Sequence, residues 1–168
     1  TDIKRKLPPY LRAQDRAVTG SDYETLADQF ATEFFGKVGK SKAVLRQYGC
    51  AANVIDLYIL ALEGTQDLVN ASDELKNALT DALAEKKMMT DLVCIKDGVV
   101  IEAATSIDIT MDKFYRKFEE EIRAKVNTRV DTFFTLTSWD YGKVLKAVDL
   151  VKELSDIKQA VTIDITFT

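Results

Sequence analysis

Residues 106–111 read S-I-D-I-T-M and residues 162–167 read T-I-D-I-T-F, and this near repetition indicates how the second half of the chain folds. Both stretches alternate apolar and polar side chains, which is the period of a strand with one buried face. Two segments with helical spacing lie between them. We therefore expect two strands of one sheet that turn their isoleucines to a shared core and their Asp and Thr side chains to water, in the order β-α-α-β.

The two intervening segments are predicted to be amphipathic helices, and the second is expected over 140–153 with Asp140 as its N-cap. Glu119 with Arg123, and Glu121 with Lys125, have the favourable i,i+4 order, so the acidic run at 119–121 is interpreted as a solvated, paired face and not a metal site. Trp139 is expected to pack against the core between the helices. The expected buried positions are Phe114, Phe118, Ile122, Val126, Val130 and Phe133, then Tyr141, Val144, Leu145, Val148 and Val151.

The first half of the chain predicts a ββαβ order. A short helix is expected to begin with a Ser21–Glu24 capping box and to end near Gly36, with Phe34 on its buried face. Strands are expected over 41–48 and 54–62 as a hairpin. A second helix, capped by Asn70 or Ser72 and ending on Lys86 and Lys87, precedes a mostly extended stretch over 90–111, in which residues 96–99 form a hairpin turn. The apolar positions of that helix are Leu75, Leu79, Ala82 and Leu83.

The fold class that these patterns predict is α+β, with two small sheet-and-helix modules of ferredoxin-like character. We expect an extended arm over 1–19, since the adjacent Pro8 and Pro9 favour extended backbone. The first α+β module is predicted over 20–98 and the second over 99–168.

Composition narrows the possible functions. The chain has 168 residues, of which 46% are hydrophobic and 30% charged, as in ordered globular proteins. It contains no histidine, which excludes Ser-His-Asp and Cys-His catalysis and His-ligated zinc. Cys50 and Cys94 are interpreted as buried free thiols. No apolar run reaches the length of a membrane helix. The net charge is −4, with +3 in residues 1–20 and −7 in the remainder, so the body is not expected to bind nucleic acid or anionic lipid.

Two candidate sites can be examined on the sequence alone. Gly39, Lys40 and Ser41 match the end of a phosphate-binding loop, but Phe34 stands where the first glycine is needed, and the segment closes a helix and opens a strand, the reverse of a working loop. Asp108 and Asp164 lie at equivalent places in the repeated strands and could form a two-carboxylate site. Nothing else in the sequence completes a ligand set for a metal.

The stretch R-A-V-T-G-S-D-Y-E-T-L-A, residues 16–27, resembles a segment of the J-like baseplate wedge proteins of contractile-tailed bacteriophages. Those proteins carry "RAVT, two residues, DYE" after a proline-containing linker. The likeness continues through K-A-V, V-I-D-L-Y-I-L and L-S-D-I-K-Q-A-V. It departs at T-L-T-S-W-D-Y-G, where the family often has a Gly- and Pro-rich turn. Since the family's proteins are longer and this chain begins with Thr1, the resemblance implies a middle and C-terminal part.

The resemblance implies a non-catalytic structural subunit that helps hold the baseplate around the tail hub before the sheath contracts. The implied partners are other wedge and hub proteins and further copies of the chain, with no nucleic acid, membrane, small-molecule substrate, cofactor or metal. The implied location is the virion tail baseplate, and the host cytoplasm during assembly. The motif residues Arg16, Ala17, Val18, Thr19, Asp22, Tyr23 and Glu24 would shape the fold. The alternatives are an interaction module of a related contractile injection system and a metal-dependent enzyme that uses acidic residues.

Overall fold

A computed structural model describes residues 8, 11, 15–48, 52–65, 67–157 and 160–167. It confirms the α+β class: the described residues form four α-helices, a five-stranded sheet and a two-stranded sheet. The chain divides into two compact units, Thr1–Val100 and Ile101–Thr168.

The first unit is built on a mixed five-stranded sheet. Its elements are α1 (Gly20–Asp28), β1 (Ala31–Thr32), β2 (Gly36–Tyr48), β3 (Ala52–Glu63), β4 (Asp67–Val69), α2 (Asp73–Ala84) and β5 (Asp91–Asp97). The central strand β3 pairs antiparallel with β2 and β4 and parallel with β5. The predicted ββαβ order is confirmed as β2-β3-α2-β5. Helix α2 connects the parallel strands β3 and β5, which pair directly with each other. In a ferredoxin-like split βαβ unit another strand lies between these two, so this unit differs from that arrangement.

The core of this unit lies between the sheet and its two helices. Alternate residues of β3 (Ile55, Leu57 and Ile59) are buried on the face that receives the helices. The buried face and the N-cap predicted for α2 are confirmed: Leu75, Leu79 and Leu83 are buried at a spacing of four, and the Ser72 hydroxyl accepts from Leu75 N at 3.2 Å. The predicted end on Lys86 and Lys87 is wrong, because the helix ends at Ala84 with Glu85 at its C-cap position.

The opposite side of β3 carries a buried carboxylate. Asp56 is in contact with Arg46 Nε from β2 and Lys96 Nζ from β5, each 2.9 Å from its Oδ2. An ionised carboxylate is tolerated in a sheet interior when cations compensate for its lost hydration. Asp56 therefore connects the central strand to β2 and β5.

The end predicted for α1 and the hairpin predicted at 96–99 are both wrong. Helix α1 ends at Asp28 instead of near Gly36, and Phe34 is 86% exposed at the turn of the β1–β2 hairpin. Gly36 has a φ of +87°, which allows the chain to reverse there. The hairpin expected at 96–99 is absent, because β5 pairs with β3 and residues 98–104 carry no regular structure.

The second unit contains β6 (Thr105–Met111), a 3₁₀ helix (Lys113–Phe118), α3 (Glu119–Phe133), α4 (Ala147–Leu154) and β7 (Ala160–Phe167). The two strands pair antiparallel with Asp108 opposite Asp164. Their polar side chains are exposed and their isoleucines pack on the core, as the repetition predicted. The buried centre consists of Ile122, Val126, Leu150, Leu154 and Ile157.

The predicted helices of this unit need two corrections. The first begins as a 3₁₀ helix with three residues per turn, so Phe114 and Phe118 do not continue the stripe of Ile122 and are exposed. The second begins at Ala147 with Lys146 at its N-cap position, not at Asp140, because Gly142 lies in a turn with a φ of +75°. It buries Leu150 and Leu154, whereas Val144 and Val148, predicted to be buried, are 68% and 61% exposed.

Candidate functional site

Residues 16–24, which we call the entry motif, lead the chain into α1. Ala17 is fully buried, donates its N–H to Lys86 O at 3.0 Å and forms a parallel bridge with Lys87. Lys86 also pairs with Asp15. The described end of the predicted arm is therefore packed on the first unit. Of residues 1–14 the structure describes only Pro8 and Leu11, both helical in backbone. The other residues of 1–14 lie outside the described part of the chain, so the predicted extended arm is described only from residue 15 onward apart from these two.

The entry motif caps α1 through Thr19 and Asp22. The Thr19 hydroxyl accepts from Asp22 N at 3.3 Å, and Asp22 Oδ2 accepts from Thr19 N at 2.8 Å and from Val18 N at 3.2 Å. This is a reciprocal capping box. The predicted Ser21–Glu24 box is wrong by two residues, because the helix already begins at Gly20.

The pKa of Asp22 reflects these contacts. Partial burial raises it, but the hydrogen bonds from Thr19 and Val18 outweigh burial and lower the pKa below its ordinary value. A carboxylate in the first turn is also favoured by the helix dipole. The ionised side chain therefore stabilises the start of α1.

Replacement of Asp22 by asparagine is expected to lower the free energy of unfolding by about 0.5–1 kcal/mol near pH 7. A lowered folded-state pKa contributes stability above the ordinary value of about 3.9 and loses it as the pH falls through the folded value. The difference between wild type and Asp22→Asn should therefore shrink at pH 3. Urea midpoints at both pH values measure it, and an equal difference at both would contradict a role for the charge.

Tyr23 connects the entry motif to β5, which lies beside the central strand β3. Its hydroxyl donates to Asp91 Oδ2 at 2.8 Å, and both side chains are buried. Asn53 Nδ2 lies 3.1 Å from the other carboxylate oxygen of Asp91, and Lys87 Nζ donates to the Asp91 backbone carbonyl at 2.8 Å. Burial, followed by the hydrogen bond to Asp91 and its charge, raises the pKa of Tyr23. These contacts join α1, β3 and β5.

Glu24 fastens α1 to the edge of β2. Its Oε1 accepts from Ala43 N at 3.1 Å and lies 2.8 Å from Lys42 Nζ. Ser41 Oγ lies 2.7 Å from Asp28 Oδ1 and 3.0 Å from the Glu24 carbonyl oxygen, so these two acceptors share its single proton. Side chains of α1 thus satisfy part of a strand edge that could otherwise pair with another chain.

Two residues of the entry motif have a different environment. Arg16 and Val18 are exposed, Val18 by 59%. The structure thus assigns folding contacts to Ala17, Thr19, Asp22, Tyr23 and Glu24, and places the side chains of Arg16 and Val18 at the surface.

The segment that resembles a phosphate-binding loop is a strand. Gly39 lies in β2 beside a register shift, where an added Cβ would stand 2.6 Å from Leu68 Cδ2 and 3.1 Å from Leu62 Cβ. Lys40 and Ser41 follow within the same strand and are buried. Close packing explains Gly39, and no helix N-terminus follows it to receive a phosphate.

The other predicted positions have ordinary surroundings. Asp108 and Asp164 face each other, and the residues that the structure describes include no cluster of three or more possible metal ligands. The Glu121–Lys125 and Glu119–Arg123 pairs form at 2.7 and 3.5 Å. Trp139 packs against Phe133 and Phe134, and its Nε1 donates to Phe133 O at 2.8 Å. Cys94 is a half-buried free thiol, and Cys50 lies outside the described residues.

Sequence reasoning did not single out Asp56 and Asp91, the two buried carboxylates. A signal for the first was present, since Asp56 is the charged residue within the otherwise apolar run V-I-D-L-Y-I-L. Asp91 gave no comparable signal, because its partner Tyr23 is distant in sequence.

Within the described part of the chain, no helix has the length and apolar character needed to span a membrane. No model of a known protein family matches the sequence, and a search of curated proteins finds no match.

Proposed function

We propose that this chain is a non-catalytic structural subunit of a phage tail baseplate wedge, which assembles around the tail hub with other wedge proteins and further copies of itself. The observation that carries the proposal is the entry motif. Its sequence is the most specific point of resemblance to J-like wedge proteins, and its side chains bind backbone and neighbouring strands. Such contacts are those of a motif that stabilises the fold.

The distribution of exposed apolar side chains also supports an assembly role. Phe34, Phe114 and Val144 are each more than two-thirds exposed, in three separate segments of the chain. Large exposed apolar residues lose water favourably when a partner covers them. Subunits of a multi-protein particle are expected to present several such surfaces.

We expect the full-length protein, captured through an affinity tag from lysate of the cells that produce it, to bring down tail sheath, tube or other wedge components in fixed ratio. Mass spectrometry of the captured chains measures this, and the tag alone on an unrelated protein of similar charge is the control. Recovery of the protein alone, or with metabolic enzymes, would reject the baseplate role. Recovery of an injection-system sheath in place of a phage tail would favour the related alternative.

Asp108 and Asp164 lie directly opposite each other on the paired strands. An alternative to the structural role is therefore an enzyme in which these two carboxylates bind a divalent metal. This alternative requires that Mg²⁺, Mn²⁺ or Ca²⁺ raise the melting temperature of the protein by binding the folded state. A melting temperature that stays constant over millimolar metal, in wild type and in Asp108→Asn alike, would remove it.

A further inference from the structure

The two-stranded sheet of the second unit has unused hydrogen-bonding edges. Among the described residues, β6 and β7 pair with each other and with no further strand. Each strand therefore directs a row of N–H and C=O groups away from its partner. A ladder of two strands is marginal in water, and sheets usually gain stability by adding strands. The inward-facing Ile163 and Ile165 are half-buried.

The sequence of β7 suits pairing with a copy of itself. Residues 162–166 read T-I-D-I-T, which is the same in both directions about Asp164. Two such strands in antiparallel register place like residues opposite each other. The β6–β7 ladder already has this register, with Ile107 opposite Ile165, Asp108 opposite Asp164 and Ile109 opposite Ile163. The chain thus contains a formed example of the pairing.

We propose that the outer edge of β7 pairs antiparallel with the outer edge of β7 in a second copy of this chain, with Asp164 opposite Asp164. The product is a four-stranded sheet in the order β6-β7-β7-β6 around a two-fold axis. This pairing rests on the proposed structural role, in which copies of the chain assemble with one another, and it identifies one contact between those copies. Its test needs no phage component, so the failure of one proposal can be told from the failure of the other.

Side chains on both faces of the sheet fit this arrangement. Residues directly opposite in antiparallel strands point to the same face, so Ile163 and Ile165 of both copies share the inner side. Helix α4 packs against β7 on that side. Pairing therefore places two copies of α4 on one side of a continuous sheet, and the exposed Val144 and Val148 beside or on this helix supply apolar surface to cover.

Strand β7 fits this role better than β6. The matching stretch of β6 is S-I-D-I-T, in which Ser106 breaks the two-way symmetry. Helix α4, with its exposed Val148, packs against β7. A two-fold contact along β7 places the symmetric stretch T-I-D-I-T opposite itself and brings the two α4 helices to the same side. A contact along β6 would do neither.

Repulsion between carboxylates limits the affinity of this contact. The four-stranded sheet aligns Asp108 and Asp164 of one copy with the same two residues of the other on the exposed face. Like charges directly opposite on neighbouring strands weaken pairing. We expect Asp164→Asn to tighten dimerisation roughly threefold to tenfold. Added salt should act in the same direction by screening the carboxylates.

Disulfide trapping tests the geometry. In a background with Cys50 and Cys94 changed to serine, we expect Asp164→Cys to form a disulfide-linked dimer under mild oxidation. Opposite Cβ atoms lie about 4.5–5.5 Å apart, so a small shift of the strands brings them to the roughly 3.5–4.5 Å of a disulfide. Asp108→Cys is the matched control: it is exposed on the same face, yet the proposed sheet separates the two copies of position 108 by three strand spacings, about 14 Å. Non-reducing gels measure the dimer fraction, and melting curves confirm that both variants fold.

Sedimentation of unmodified protein gives a second measurement that needs no cysteine. We expect a concentration-dependent dimer in wild type and a tighter one in Asp164→Asn. Equal or greater trapping through position 108 would overturn the proposal in favour of another contact. Monomers of both wild type and Asp164→Asn at all concentrations up to about 1 mM, the weak end of measurable association, would overturn it outright.

Discussion

We expect Leu150→Ala to remove a large share of the free energy of unfolding of the second unit. Leu150 is fully buried, and it is one of only five buried apolar side chains among the described residues of that unit. Truncation of a buried leucine costs about 2–5 kcal/mol through lost transfer energy and an unfilled cavity. A unit of this size is expected to have a total stability of about 3–10 kcal/mol. Hydrogen exchange should show lost protection in β6, α3 and β7 while β3 stays protected.

The matched control for this change is Val148→Ala on the same helix. Val148 is 61% exposed, so its truncation should alter the free energy of unfolding by no more than about 0.5 kcal/mol. The pair of variants also decides which face of α4 is buried. Sequence periodicity placed Val148 in the core, and the structure places Leu150 there. A large loss in Val148→Ala with a small one in Leu150→Ala would show that the helix is rotated from the described orientation.

The second large effect is expected for Tyr23→Phe, which deletes one oxygen atom and leaves the ring in place. Asp91 Oδ2 then loses a donor 2.8 Å away while remaining buried. Loss of a hydrogen bond to a buried charged group costs about 1.5–3 kcal/mol. For the first unit this corresponds to a fall in melting temperature of roughly 10 °C, which calorimetry can resolve.

Tyr58→Phe is the control for this prediction. Tyr58 lies on the same sheet with Lys96 Nζ 5.9 Å from its ring centre, and phenylalanine retains that contact. We expect a change below about 0.5 kcal/mol. If Tyr58→Phe lowers the free energy of unfolding as much as Tyr23→Phe does, the hydrogen bond from Tyr23 to Asp91 contributes no more to stability than an ordinary tyrosine hydroxyl.

The pH dependence of Tyr23→Phe provides a further check. Burial and Asp91 raise the pKa of Tyr23 in the folded protein. A raised pKa contributes stability that is complete below the unfolded value, about 10, and is lost as the pH rises toward the folded value. The advantage of wild type over Tyr23→Phe should therefore decline above pH 10. An advantage that is unchanged up to pH 11 would mean that the hydroxyl is not held as described.

Local patterns predicted the elements whose burial depends on their own sequence. The period of two in β6 and β7 and the spacing of four from Leu75 to Leu83 each leave a single apolar face, so only one orientation buries it. Helix α4 differs because Val148 and Val151 form one apolar stripe and Leu150 with Leu154 forms another. The choice between them depends on which stripe meets β7, and periodicity contains no information about that.

The resemblance predicts a structural role for the entry motif, but the contacts of its side chains could be predicted only in part. Thr19 and Asp22 act within one helical turn, yet Ser21 and Glu24 offered an equally good local pattern two residues later. Tyr23 and Asp91 are 68 positions apart, and their hydrogen bond exists because β5 lies beside β3. A parallel pairing of this kind joins segments that no local rule connects.

The pairing of β6 with β7 has a consequence for the timing of folding. Residues 112–159 separate the two strands, so the ladder closes a long loop, and such distant contacts form slowly. At a synthesis rate of about 5–20 residues per second, β6 leaves the ribosome several seconds before β7 exists. The first unit is complete in sequence once β5 has emerged, while β6 must wait without a partner. During that interval, the nascent chain can aggregate or pair with a finished neighbour, and chaperone binding to residues 105–111 would protect it.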